Sequence, residues 1–147
     1  MKKILAACLL ALAFVIPAPA GAQTVLFQAP PIIKAAVENN YEAMRSLLVK
    51  GTSANTADGN GKTPLIYAVA ASNADMVRLL LENKANPNQA DKSGNGALFW
   101  AAGQGDPVVI DLLIKGGARI DQENRQGATP LMEAARTGKL EAVQKLL

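Results

Sequence analysis

A period of 33 residues runs through the chain without insertion or deletion, and it restricts the fold more than any other feature of the sequence. Asp58, Gly61, Leu65, Ala68, Val77, Leu80 and Leu81 recur as Asp91, Gly94, Leu98, Ala101, Ile110, Leu113 and Ile114. A further step gives Asn124, Gly127, Leu131, Ala134, Val143, Leu146 and Leu147. A backward step gives Val25, Gln28, Ile32, Ala35, Met44, Leu47 and Leu48, so the helical part persists there while the turn fades. A fixed register of this kind means one supersecondary unit stacked on copies of itself. Such stacks build extended binding surfaces more often than enclosed catalytic pockets.

One unit, residues 58–90, shows the local logic. Asp58-Gly59-Asn60-Gly61 is rich in residues that tolerate turns. Thr63 is placed to cap a helix, and Pro64 is pre-set for its first position. Leu65, Ala68 and Val69 mark one apolar helical face. The chain turns at Ser72-Asn73, where Asn73 can cap a second helix and Asp75 sits near its positive end. Val77, Leu80 and Leu81 mark the buried side of that helix, and Asn83-Lys84 ends it. The unit is therefore turn, helix, short turn, helix and loop.

These residues resemble the ankyrin repeat. The resemblance is carried by Asp58, Gly61 and Thr63-Pro64-Leu65, by Gly127 and Thr129-Pro130-Leu131, and by the post-helix loop Gly116-Gly117-Ala118-Arg119-Ile120-Asp121. It covers about residues 29–147 and implies an all-α solenoid of about four helix-turn-helix units, near 25–57, 58–90, 91–123 and 124–147. The His that often follows Thr-Pro-Leu is replaced by Ile33, Ile66, Phe99 and Met132, apolar residues suited to a buried position. The third unit has Gly96-Ala97 in place of Thr-Pro, a cap exchange worth only a few tenths of a kcal/mol. Polar residues on the first unit (Lys34, Glu38, Asn39, Asn40) fit a terminal cap. The fourth unit reads either as a minimal cap or as an interrupted repeat.

The first 22 residues have a different character. Lys2-Lys3, the apolar run from Ile4 to Ile16 and Ala20-Gly21-Ala22 form the three parts of a secretory signal peptide. The run is shorter than the ~20 residues of a membrane span. A lipoprotein-like box at Leu5–Cys8 precedes most of it, which favours cleavage near Ala22 over lipidation. The expected arrangement is a signal peptide over 1–22 and a repeat domain over 23–147, exported to the periplasm or beyond and not membrane-inserted after cleavage. Gln23–Gln28 is expected to pack along the first repeat. Of 15 basic residues, Lys2 and Lys3 leave, so 13 face 12 acidic ones, a formal charge of +1. Mixed signs along the chain argue against nucleic acid as a partner. Cys8, the single cysteine, leaves too, so no disulfide supports the mature chain.

The chain has no His, and the expected mature part no Cys, which excludes Ser–His and Cys–His nucleophiles, thiolate zinc sites and histidine-ligated haem. Gly61-Lys62-Thr63 has the tail of a phosphate loop but lacks the earlier Gly, since Thr56 stands there. Asp91–Gly96 resembles half a calcium loop, with Ala102 where a bidentate Glu is needed. Asp58 and Asp91 recur at the turn, which assigns them to structure. No catalytic residue, cofactor or metal is expected.

What remains is binding. In the family, partners are held by turn tips and by the exposed end of each first helix. Register places these at Asn60, Lys62, Lys92, Ser93, Asn95, Arg125 and Gln126 on the tips, and at Gln104, Arg136 and Thr137 on the helix ends. Small residues at Ala70, Ala71 and Gly103 are expected to leave a shallow groove. Tyr67 and Trp100 lie one period apart, either as a partner-binding aromatic patch or, preferably, as inter-repeat packing with polar tips in solvent. Arg119, Arg125, Arg136 and Lys139 read as a solvated face balanced by Asp121, Glu123, Glu133 and Glu141. The expected function is a non-enzymatic protein-binding module, monomeric until it meets an unidentified protein. The resemblance extends to small periplasmic ankyrin proteins that assist peroxide removal. Equally, it fits an immunity or inhibitor protein against an exported toxin, or, less favoured, a self-associating envelope component.

Overall fold

The computed structural model describes residues 29–147, so the leader segment and Gln23–Gln28 lie outside the described residues. Eight α-helices, and no strand, are found among them, arranged as four pairs. The pairs are α1 (Pro31–Val37) with α2 (Tyr41–Val49), and α3 (Pro64–Ala70) with α4 (Ala74–Glu82). They continue as α5 (Ala97–Gln104) with α6 (Pro107–Lys115), and α7 (Pro130–Arg136) with α8 (Leu140–Leu146). The first helices stack as α1, α3, α5 and α7, and the second helices as α4, α6 and α8, while α2 rests chiefly on α1. This is the repeat solenoid that the period predicts.

The caps are the ones the sequence offers. Thr63 and Thr129 accept from the amides of Ile66 and Met132 at 3.3 Å, and a proline follows each. Asn40, Asn73 and Asp106, one period apart, cap α2, α4 and α6 through their side chains. Lys139 stands at the fourth such position, and α8 has no side-chain cap. Gly96 also provides none for α5, yet the helix forms. Gln122 packs against this backbone, within 3.3–3.4 Å of where a Cβ would stand. The lost cap is thus accompanied by a contact from the loop that closes the same unit.

The core is one continuous column. Ile32, Leu65 and Leu98 supply one layer, and Met44, Val77 and Ile110 another, each 0–3% exposed. Ala35, Ala68, Ala101 and Ala134 share a register and are equally buried, and their small side chains let successive first helices approach. Replacing Leu65 by Ala is expected to cost about 2–5 kcal/mol, since its cavity would open between two units.

One burial expectation fails. Ile33 and Ile66 are buried and Phe99 half-buried, but Met132 is 57% exposed. This position is covered by the unit that follows, and no further helix among the described residues packs on that side of α7.

Candidate interaction surface

Each turn tip is built by one carboxylate or amide. Asp58 Oδ1 accepts from the amides of Asn60 and Lys62 at 2.8 and 2.9 Å. Asp91 Oδ1 does the same for Ser93 and Asn95, and Asn124 Oδ1 for Gln126 and Ala128. In Asp91 this oxygen meets backbone amides and the other meets Trp100, so the apparent calcium loop is a structural turn. The Lys62-Thr63 pair likewise belongs to the repeat, Thr63 as a helix cap.

The tips are joined. Lys92 N donates to Asn60 O at 3.0 Å, and Arg125 N to Ser93 O at 3.1 Å. Gly61 and Gly94 permit this: both have positive φ, and a Cβ on Gly94 would lie 2.8 Å from the Arg125 amide. On the opposite loops Asn55 and Asn88 perform a matching role. Each accepts from an amide of the next unit, Asn86 N at 2.6 Å and Arg119 N at 2.8 Å. Their side-chain amides donate to Lys84 O and Gly117 O.

Tyr67 and Trp100 do not send their polar tips to solvent, contrary to expectation. The Tyr67 hydroxyl donates to Asp58 Oδ2 at 2.5 Å, and Trp100 Nε1 to Asp91 Oδ2 at 3.2 Å. The turn carboxylate lies within reach because turn and helix belong to one unit. Lys62 projects between the rings, its Nζ 4.6 Å from the Trp100 centroid and 5.7 Å from that of Tyr67. Ring quadrupoles favour a cation in this position. Burial pushes the Asp58 carboxyl up, but the Tyr67 hydroxyl, the two backbone amides and the Lys62 charge together hold it below the usual carboxylate range. Burial, reinforced by the bond to Asp58 and its charge, pushes Tyr67 up to about 12.

The expected site residues fall into two groups. Asn60, Lys92, Ser93, Arg125 and Gln126 are exposed on the tips, and Gln104 and Arg136 are exposed at the ends of α5 and α7. Lys62, Asn95, Tyr67, Trp100 and Thr137 are half-buried and engaged within the fold. Asn95 Oδ1 accepts from Asn124 Nδ2 at 2.9 Å, and Thr137 Oγ1 donates to Glu133 O at 2.8 Å.

One expectation about the surface needs correction. The groove at Gly103 is filled, because the Glu133 side chain lies 3.3 Å from where a Cβ would stand. Arg136 holds Glu133 there, bonding both carboxylate oxygens at 2.6 and 2.8 Å and lowering its pKa. The basic cluster is exposed throughout. Of its four members, only Arg136 forms an ion pair with one of the expected acids.

A cleft of about 740 Å³ lies between the first unit and the second turn tip, lined by Ile33, Lys34, Val37, Asp58, Asn60 and Tyr67 among others. Sequence reasoning did not find it. Among the described residues, its lining joins α1 to the second turn tip, with Tyr67 between them in the repeat.

The family of proteins described as "Ankyrin repeats (3 copies)" matches residues 5–91 and 83–147. The chain belongs to the ankyrin-repeat family, whose members are generally non-enzymatic protein-protein interaction modules. The first match begins at Leu5, inside the apolar run that the leader reading sets apart. No curated protein matches the chain at a significant level.

Proposed function

We propose that the chain is a preformed docking surface for another protein, acting through the exposed tips of units two to four and the adjoining first-helix ends. The observation that carries this reading is the hydrogen-bonded joining of successive tips, Lys92 N to Asn60 O and Arg125 N to Ser93 O. Tips held in this way lose little conformational entropy when a partner docks, and rigidity of this kind is a source of affinity. Asn60, Lys92, Ser93, Arg125 and Gln126 supply the outward contacts. Lys62, Tyr67, Trp100 and Asn95 set the platform beneath them.

The place of action we propose is the periplasm, supported by the basic start, apolar run and Ala20-Gly21-Ala22 of the leader. Within it, a role beside peroxide-removing enzymes is the leading reading, with inhibition of an exported toxin as the alternative. The test is affinity capture on the mature chain from a periplasmic extract. A protein retained by the wild type and lost on Lys92→Ala with Arg125→Ala supports the surface. Retention unaffected by both changes, with no crosslink to the partner from Ser93 or Gln126, contradicts it. N-terminal sequencing of the mature chain checks export, with Gln23 expected as the first residue.

A further inference from the structure

The charges on this face are sorted by what already satisfies them. Lys34 pairs with Glu38 at 3.8 Å and Arg136 with Glu133 at 2.6 Å. The carboxylates of Asp58 and Asp91 accept from turn amides and from the Tyr67 and Trp100 donors. The second helices carry their own balanced pairs, Asp75 with Arg78 and Asp111 with Lys145. None of the ion pairs among the described residues involves Lys62, Lys92 or Arg125. Glu123, the acid nearest Arg125 in sequence, is exposed and makes no ion pair with it. The tips therefore carry Lys92 and Arg125 exposed and outside every ion pair of the described residues.

Their spacing is fixed as well. Lys92 and Arg125 occupy one register position in successive units, and backbone bonds join each of their tips to the one before. Stacked helices stand about 8–10 Å apart. A chain in the polyproline II conformation has three residues per turn and advances about 3.1 Å per residue, so side chains three residues apart lie on one face and match successive tips.

We propose that the partner presents an extended acidic segment to these tips, with carboxylates about three residues apart facing Lys92 and Arg125. This rests on the protein-binding reading above and adds the chemistry of what is bound. Charges of this exposed kind act on encounter rate and salt dependence more than on depth of binding.

The test uses the whole chain and a fluorescein-labelled peptide with Glu at every third position, compared with the same peptide carrying Lys and with inorganic polyphosphate. The Glu peptide should bind, weaken as salt rises, and weaken about tenfold on Lys92→Glu with Arg125→Glu. Both side chains are exposed, so the unfolding midpoint of that variant should stay within a few degrees of wild type. Equal binding of the Glu and Lys peptides, or no loss in the double variant, overturns the proposal. Polyphosphate bound more tightly at the same residues overturns the peptide assignment. A protein captured at the tips and kept by the Lys92→Glu, Arg125→Glu variant overturns the acidic segment while leaving the docking surface intact.

Discussion

The Tyr67 hydroxyl and Asp58 Oδ2 are 2.5 Å apart, and the same bond is repeated 33 residues later between Trp100 Nε1 and Asp91 Oδ2. In the fourth unit both ends change together. Glu133 replaces the ring donor and Asn124 replaces the acid, which avoids facing two carboxylates. The bond ties each turn to its own first helix, and the tip-to-tip bonds then carry that rigidity along the stack. Tyr67→Phe removes a partner from a charged acceptor. Hydrogen bonds to charged groups contribute about 1.5–3 kcal/mol, and partial exposure brings the expected loss to about 1 kcal/mol. Urea unfolding of Tyr67→Phe, Asp58→Asn and the double variant should give a positive coupling energy.

The same bond fixes a pH dependence. Tyr67 is raised from 10.0 to about 12 on folding. A raised value means that its contribution to stability is whole below pH 10 and is lost as pH climbs through about 12. Asp58 is lowered, so its contribution is present above its unfolded value of 3.8 and is lost as pH falls through the depressed folded value. In a Tyr41→Phe background, tyrosinate absorbance should rise with a midpoint of about 12, and Asp58→Asn should bring that midpoint down. A midpoint near 10 in both proteins would show that the bond is absent.

Much of this architecture is legible in the 33-residue register. The helix pairs, the Thr63, Asn73 and Thr129 caps and the structural use of Asp58 and Asp91 follow from residue type at fixed offset. The surface is less legible. The ring partners of Asp58 and Asp91 lie nine residues away, a distance no helical or strand period marks. The paired exchange at Asn124 and Glu133 was their only trace. Gly103 suggests an open groove by its size, yet what fills it comes from the next unit. Met132 fails for the complementary reason, because burial there depends on a neighbour and not on the residue.

Glycine substitutions separate the joining of tips from turn conformation. Gly94 and Gly127 have φ of 82° and 76°, so Ala strains both alike. Only at Gly94 would the Cβ meet a neighbouring tip, 2.8 Å from Arg125 N. Left-handed backbone costs a non-glycine about 1–2 kcal/mol, and overpacking adds about 1–3 kcal/mol at Gly94. Gly94→Ala should therefore lower the unfolding free energy by at least ~1 kcal/mol more than Gly127→Ala does, as read from urea titrations.

Lys84 occupies a position where the neighbouring units have glycine. Its φ is 65°, beside 88° at Gly51 and 94° at Gly117. Relief of about 1–2 kcal/mol of left-handed strain exceeds the 0.5–1 kcal/mol entropy cost of glycine. Lys84→Gly should stabilise the protein by about 0.5 kcal/mol, read as a higher thermal midpoint with unchanged helicity.

The central claim is that the joined tips are where a protein partner docks, and site-specific photo-crosslinking in living cells tests it most directly. A photoreactive residue replaces Ser93 or Gln126 on the tips, and Glu82 or Lys115 at the ends of the second helices as comparison; all four are exposed. The account predicts one discrete protein adduct from Ser93 and Gln126 and none from Glu82 or Lys115. Adducts from the second-helix positions alone would contradict it.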